Sequence, residues 1–378
     1  MKKVLYRKLL SDYLSFFLIA LLSTSVIIWV FQAVNYLDIM IEDGRDYLVY
    51  VNFSLLNFPK IVSKVFPFAL FFSLFYVTTR SELNNELIIL WNFGIHKIKI
   101  LNFIVKLSIS MLILQLFLTV FVVPKSQDMA RSFLRSSNVN FFDNFIKKQK
   151  FNDTIRGVTI YADKKDKDGN LINLYLKKEI NEGFQITYAK KGTIEKKGNI
   201  PIIVLHNGAT ITSKKNEITN ISFSKSDFSF LNTIANTTTY RKTQEISSEK
   251  LIKCIKNFYT LEKKKFEIVF NEIENCSYEN MQSIIKEFYK RFLIPFYIPL
   301  LCLIPVLLIT STKENLNYSK VRLLTFIIGL VIIIFSETTI RYISKISIND
   351  ISIMIIPFAL FLFLYLFFIK KFNFNIKS

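Results

Sequence analysis

Few residues in this chain have the type and spacing that chemistry demands. The two histidines, His96 and His206, stand far apart with no metal-ligand spacing, and each reads as a loop residue. Cys254, Cys276 and Cys302 show no C-x-x-C pattern, and Cys302 lies inside an apolar run. A zinc site or disulfide framework is not indicated, although Cys254 and Cys276 could pair in an oxidising compartment. No G-x-x-x-x-G-K-[ST] loop is present to cradle nucleotide phosphates, and neither G-x-S-x-G nor H-E-x-x-H occurs. Acidic pairs such as Glu272/Glu274 fall in a charged segment and read most simply as solvated. The expectation is a chain that binds no cofactor of its own.

Polar residues in or beside apolar segments carry more information, because an ionisable group there normally faces protein or a wet cavity. Glu337 and Arg341 are spaced for an i,i+4 ion pair or, equally, for two separate charges at a membrane interface. Gln32, Asn35 and Asp38 share a helical face, lining a cavity or marking where a helix leaves the membrane. The third group runs from Arg80 to Gly94. Glu82 and Glu86 lie near its start, Leu83, Leu87 and Leu90 fall at helical spacing, and Gly94 closes it. The pattern predicts a short amphipathic helix over about 80–95. It rests on a membrane or docks into a partner through Glu82 or Glu86.

The elements that must position these residues are mostly lipid-length. Hydrophobic residues make up 51% of the 378, and the mean hydropathy is +0.33, which disfavours a soluble globular class. Six apolar runs are long enough to span a bilayer as helices: Leu14–Leu37, Ile61–Thr79, Ile98–Val123, Phe292–Ile309, Val321–Tyr342 and Ile351–Ile369. The first lacks a small-residue cleavage pattern and reads as a retained helix. The net charge of +20 is not gathered into one patch interleaved with stacking aromatics, so nucleic acid is not the expected partner. Short basic segments (Lys2, Lys3, Arg7 and Lys8; Arg80, Lys97 and Lys99; Lys313, Lys320 and Arg322; Lys370 and Lys371) all fall on one side of a six-span path. By the positive-inside rule both termini are cytoplasmic and the block between the third and fourth spans is external.

That block alternates apolar and polar residues in short stretches: Gly157–Tyr161, Leu171–Leu176, Phe184–Ala189, Ile200–Leu205 and Glu217–Phe223. A turn is expected over Lys164–Asn170 and a tight hairpin at His206-Asn207-Gly208. The pattern predicts an all-β, jelly-roll-like or sandwich domain. From Ser247 to Arg291 the periodicity turns helical, as a connector to the fourth span. The resulting fold class is an α-helical membrane protein with six transmembrane helices and an inserted periplasmic jelly-roll-like domain. Its parts are 1–123 with spans one to three, 124–290 with the β-domain and connector, and 291–378 with spans four to six.

With this layout the chain resembles the lipopolysaccharide-export permease family LptF/LptG. Carrying residues are Asn85-Glu86-Leu87 and Gly94, similar to that family's coupling-helix motif S-E-[LM]-x-x-x-R-A-x-G-[VI], with Asn85, Trp91 and Asn92-Phe93 departing from it. Tyr6-Arg7-Lys8 before the first span, Val123-Pro124 closing the third, and Glu287, Arg291 and Pro295 opening the fourth also fit. The resemblance leans slightly to the F type. It implies a non-catalytic permease subunit of an ABC transporter that extracts lipopolysaccharide from the inner membrane. The implied partners are a paralogous permease, a cytoplasmic ABC ATPase dimer that holds ATP and Mg, and a periplasmic jelly-roll bridge protein. Expected ATPase-coupling residues are Glu82, Glu86, Leu87, Leu90 and Gly94; expected cavity or intramembrane polar residues are Gln32, Asn35, Glu337 and Arg341. The family often places a basic residue in the first span, and none lies between Leu14 and Leu37 here. The alternative is a membrane-anchored envelope scaffold or lipid-modifying enzyme.

Overall fold

A computed structural model of the chain describes residues 2–41, 47–136, 149–155, 158–166, 170–180, 183–197, 200–214, 217–229, 242–260, 276–278, 280–343 and 348–377. Among them are six helices long and apolar enough to cross a membrane, together with one antiparallel sheet. The chain divides into a helical unit (1–31, 56–129 and 240–378) and a second unit (32–55 and 130–239) that holds the sheet.

In the helical unit the helices outrun their apolar runs. Helix α1 spans Lys2–Ile41 and α2 spans Tyr47–Leu83. No glycine or proline interrupts Lys2–Ile41, so the backbone bonds continue past the lipid-length stretch into charged residues. After the short α3 (Glu86–Asn92), α4 (Lys97–Phe117) passes through a π-turn at Leu118–Val122 into α5 (Val123–Ser136). Helices α6 (Ser248–Thr260) and α7 (Met281–Phe292) form the connector that the sequence predicts over Ser247–Arg291. It belongs to the helical unit, because its apolar faces pack there.

The fourth span is broken. It runs from α7 through a 3₁₀ turn, Ile294–Phe296, into α8 (Tyr297–Leu303) and α9 (Val306–Thr310). Pro295, Pro299 and Pro305 each lack an N–H, and surrounding helices cover the interruptions: every residue of α8 is buried. Helices α10 (Tyr318–Tyr342) and α11 (Ile348–Lys377) complete the set. The main core gathers Tyr13 and Phe17 of α1, Phe66 and Leu74 of α2, Leu101 and Ile104 of α4, Ile298 and Leu303 of α8, and Phe368 of α11.

In the second unit, β1 (Asn152–Ile155), β2 (Val158–Lys165), β3 (Leu171–Ile180), β4 (Gly183–Lys197), β5 (Ile200–Lys214) and β6 (Glu217–Ser229) pair in sequence order, all antiparallel. The antiparallel all-β expectation is met. The described strands form a meander, without the crossover pairing of a jelly roll among them. Val158, Ile160, Leu174, Leu176, Ala189, Ile203 and Leu205 supply the core of one face, and Asp166 N–H donates to the Asn170 carbonyl at 2.8 Å, closing the expected turn.

One expected turn is absent. His206-Asn207-Gly208 is not a hairpin but an interior stretch of β5: His206 pairs with Lys191 and Gly208 with Ala189 in one unshifted register, and Asn207 between them takes a left-handed φ of 52°. The alternation resumes at Ala209–Thr212 and is paired on both sides, so the ladder outweighs the local turn chemistry. A side chain at Gly208 would meet the Tyr188 carbonyl and the Phe223 ring.

Candidate functional site

Two places in the helical unit bring polar groups together. The first is the corner between α2 and α3. The predicted single helix over about 80–95 is two pieces, because α2 runs to Leu83 and Asn85 then takes a left-handed φ of 62°. Asn84 N–H still reaches the Arg80 carbonyl (2.9 Å) and Asn85 N–H the Glu82 carbonyl (3.1 Å). Leu83 therefore does not share a face with Leu87 and Leu90. It is exposed, whereas both of those are buried against the main core.

Gly94 ends α3 as the pattern requires. Its φ is 67°, its N–H meets the Trp91 carbonyl at 2.9 Å, and Ile95 N–H meets that of Leu90 at 3.1 Å. This is the paired closure of a Schellman motif, with buried Ile95 and Leu90 as its apolar contact. Glu86 opens α3, where the helix dipole favours an acid, and its Oε2 accepts from Ser81 Oγ at 2.8 Å. Glu82 is buried and accepts the Lys313 backbone N–H at 3.0 Å, while Lys313 Nζ donates to the Leu83 carbonyl at 3.2 Å. Lys97 Nζ lies over the Trp91 ring and donates to the Ile309 carbonyl at 3.0 Å. The corner is thus tied to the chain that follows the fourth span. Its outward surface is Leu83, Ile88, Ile89 and Phe93, all exposed.

The second place is an open cleft of about 770 Å³ whose walls carry Lys64 of α2, Lys242, Lys286, Glu287 and Lys290 of α7, and Glu337 of α10. Glu287 is engaged by Arg291 Nε at 3.0 Å. None of the four lysines makes an ion pair among the described residues, and with Glu287 engaged by Arg291 only Glu337 offsets them, so the cleft carries a net positive charge.

A buried guanidinium builds this cleft. Arg291 donates to the Ile246 carbonyl (2.8 Å), Ser248 Oγ (3.1 Å) and the Gln244 carbonyl (3.1 Å), which pins residues 244–248 against α7. Ser248 Oγ in turn donates to the Val120 carbonyl at 2.6 Å, and Thr119 Oγ1 donates to the Arg291 carbonyl at 2.9 Å. Thr119 and Val120 both lie in the π-turn that follows α4, where i→i−5 bonding replaces the regular helical ladder. Tyr289 Oη donates to Thr339 Oγ1 at 3.1 Å and holds α10 beside α7.

The remaining sequence-predicted residues are scattered. Glu337 lines the cleft, but no ion pair joins it to Arg341 among the described residues, and both are exposed. Gln32 and Asn35 belong to the second unit, where Gln32 Oε1 accepts from Tyr36 Oη at 3.2 Å and Asn35 is exposed. The side chain of Asp38 and residues Glu272 and Glu274 lie outside the described residues. Sequence reasoning missed the lysine cleft. Its one legible signal is Lys64, a cation inside the second apolar run.

The family model for the lipopolysaccharide export system permease LptF/LptG matches residues 7–371. The chain belongs to the LptF/LptG family. With six apolar helices it is a multi-pass membrane protein, and the match does not separate the F from the G type. It is also similar to the protein RP871 of Rickettsia prowazekii (strain Madrid E), 23% identical over 208 residues. That alignment covers 54% of this chain and 57% of the relative, so the chain spans little more than half of that relative's length.

Proposed function

We propose that this chain is a permease subunit of an ABC transporter that takes lipopolysaccharide out of the bacterial inner membrane for export to the outer membrane. The observation that carries the reading is the LptF/LptG match across residues 7–371, on six spans with an inserted antiparallel sheet. The chain catalyses nothing in this reading. ATP and Mg are held by a cytoplasmic ATPase dimer. The other partners are a paralogous permease, a periplasmic jelly-roll bridge protein and the lipid itself. Both termini are cytoplasmic and the sheet is periplasmic.

The two places in the helical unit suit the two halves of that task. Along α2 the rise from Lys64 to Glu82 is about 27 Å at 1.5 Å per residue, close to the roughly 30 Å of a hydrocarbon core. One place therefore meets each membrane surface. The α2–α3 corner docks on the ATPase through Glu86 and the exposed Ile88, Ile89 and Phe93. Leu87 and Leu90 hold α3 to the bundle, Glu82 ties it to Lys313, and Gly94 ends it. At the other surface the four lysines attract the phosphate-bearing head of the lipid, and the acyl chains follow an apolar route, since each CH₂ exposed to water costs about 0.8 kcal/mol. Glu337 and Arg341 form the polar rim of this helical unit, and Gln32 and Asn35 that of the outer end of α1.

The test is reconstitution with the partner permease and ATPase. Glu86→Lys should abolish co-purification of the ATPase or lipid-stimulated ATP hydrolysis; unchanged coupling would remove the corner from the mechanism. Replacing Lys286 and Lys290 together by Glu should lower apparent lipopolysaccharide affinity roughly tenfold, about 1.4 kcal/mol, with basal hydrolysis intact. Equal stimulation at every lipid concentration would remove the cleft.

A further inference from the structure

Two of the three cysteines are joined. Cys254 of α6 and Cys276, just before α7, form a disulfide with their Cα atoms 6.1 Å apart, and Cys302 in α8 is free and buried. The bridged pair lies in the connector, and the free cysteine lies in a span. We propose that Cys254 and Cys276 are a modification site, the dithiol substrate of an oxidising enzyme that carries its own reactive disulfide outside the cytoplasm, and that the bond closes before the connector packs.

The class of reaction follows from compartment chemistry. In the cytoplasm thiol pools keep such a pair reduced, whereas an external connector meets oxidants. The exchange balances with a protein disulfide as the co-reactant. One cysteine thiolate attacks a sulfur of that disulfide, forming a mixed disulfide and releasing the enzyme's other thiolate. The second cysteine thiolate then attacks the mixed disulfide at this chain's sulfur and expels the enzyme's remaining thiolate. The chain loses two electrons and two protons, and the enzyme's disulfide becomes a dithiol.

The order of events follows from burial. Cys254 is 1% exposed and Cys276 4% exposed, in a cluster with Leu251, Met281, Ile284, Ile285 and Tyr289. A thiolate must approach a disulfide sulfur directly for exchange, and this packing covers both sulfurs. Oxidation must therefore precede the docking of α6 on α7, and afterwards the bond is shielded from reductants. Closing the 22-residue separation then restricts the unpacked connector to states near the native one. This clamps the helix that carries Lys286, Lys290 and Arg291. The inference goes beyond the transport reading and rests on its orientation alone, with the connector outside the cytoplasm.

Thiol counting with a mass-tagged maleimide on the full chain in membranes of a Gram-negative host tests both parts. Denatured without reductant, protein from untreated cells should take one tag, at Cys302, and three after reduction. Cys254→Ser should take two without reduction, and since the protein is denatured for tagging, a folding defect does not obscure the count. A membrane-permeant reductant present during synthesis should give three tags, and the same reductant added after folding should leave one. Three tags from untreated cells would overturn the modification. Bond opening in the folded protein as fast as in the denatured protein would overturn the order of events.

Discussion

Arg291 ties three segments of the helical unit together. Its guanidinium is almost fully buried and meets two carbonyls, a hydroxyl and a carboxylate. Removing one partner of such a network leaves the others buried without a donor, which costs more than the net worth of the bonds. Arg291→Met is therefore expected to destabilise the detergent-solubilised protein by about 3–5 kcal/mol, measured by chemical denaturation. Arg291→Lys should recover only part, because an ammonium cannot present the same planar fork. Gly94 is a milder case. A Cβ there meets no atom within 4 Å, so Gly94→Ala should cost only about 1 kcal/mol for the left-handed φ of 67°. A loss much above that would mean the corner is tighter than its geometry shows. Glu86 and Gly94 were legible in the sequence because helix ends obey local rules. Leu83 was not: the left-handed turn at Asn85 rotated it off the face it shared with Leu87 and Leu90 on paper.

At the scale of elements, α10 and α2 meet where α10 has no side chain. A Cβ on Gly329 would overlap the Phe71 ring, which also packs near Phe75 and Phe326. Gly329→Leu should push the two helices apart and cost about 1–3 kcal/mol. Disulfide trapping between engineered cysteines on α2 and α10 should slow accordingly, and unchanged trapping would count against close packing there. In the sheet, Gly208→Val would place branched carbons against the Tyr188 carbonyl, with nothing flexible to yield. Faster proteolysis of the sheet is expected, with the helical unit unaffected. The strands themselves were foreseeable from alternation, but their lengths were not. The alternation ends at Ala189 while β4 continues to Lys197, because β5 supplies a partner for every residue from Lys191 to Lys197. The same ladder carries His206-Asn207-Gly208 straight through β5, where a hairpin was expected.

For the whole molecule the distribution of charge is the main organising term. In the proposed orientation the basic residues of the short loops lie on the cytoplasmic side, and the long block between the third and fourth spans carries its lysines regardless. A cysteine replacing Lys3 and one replacing Thr219, each in a background lacking the native cysteines, are expected to react with a membrane-impermeant maleimide from opposite sides. Labelling of both from the same side of intact membranes would overturn the six-span orientation. Six spans, an inserted sheet and a helical connector were readable from sequence because hydrocarbon length and strand period are one-dimensional constraints. Lipid imposes the first on any chain that crosses it, and the pleat imposes the second on any half-buried strand. Which polar groups converge is a different kind of fact. Lys64, Lys242, Lys286 and Lys290 come from three distant stretches, and only the packing of α2, α7 and α10 around Arg291 and Tyr289 gathers them into one cleft. That convergence depends on side-chain burial between segments far apart in the chain, and no local periodicity encodes it.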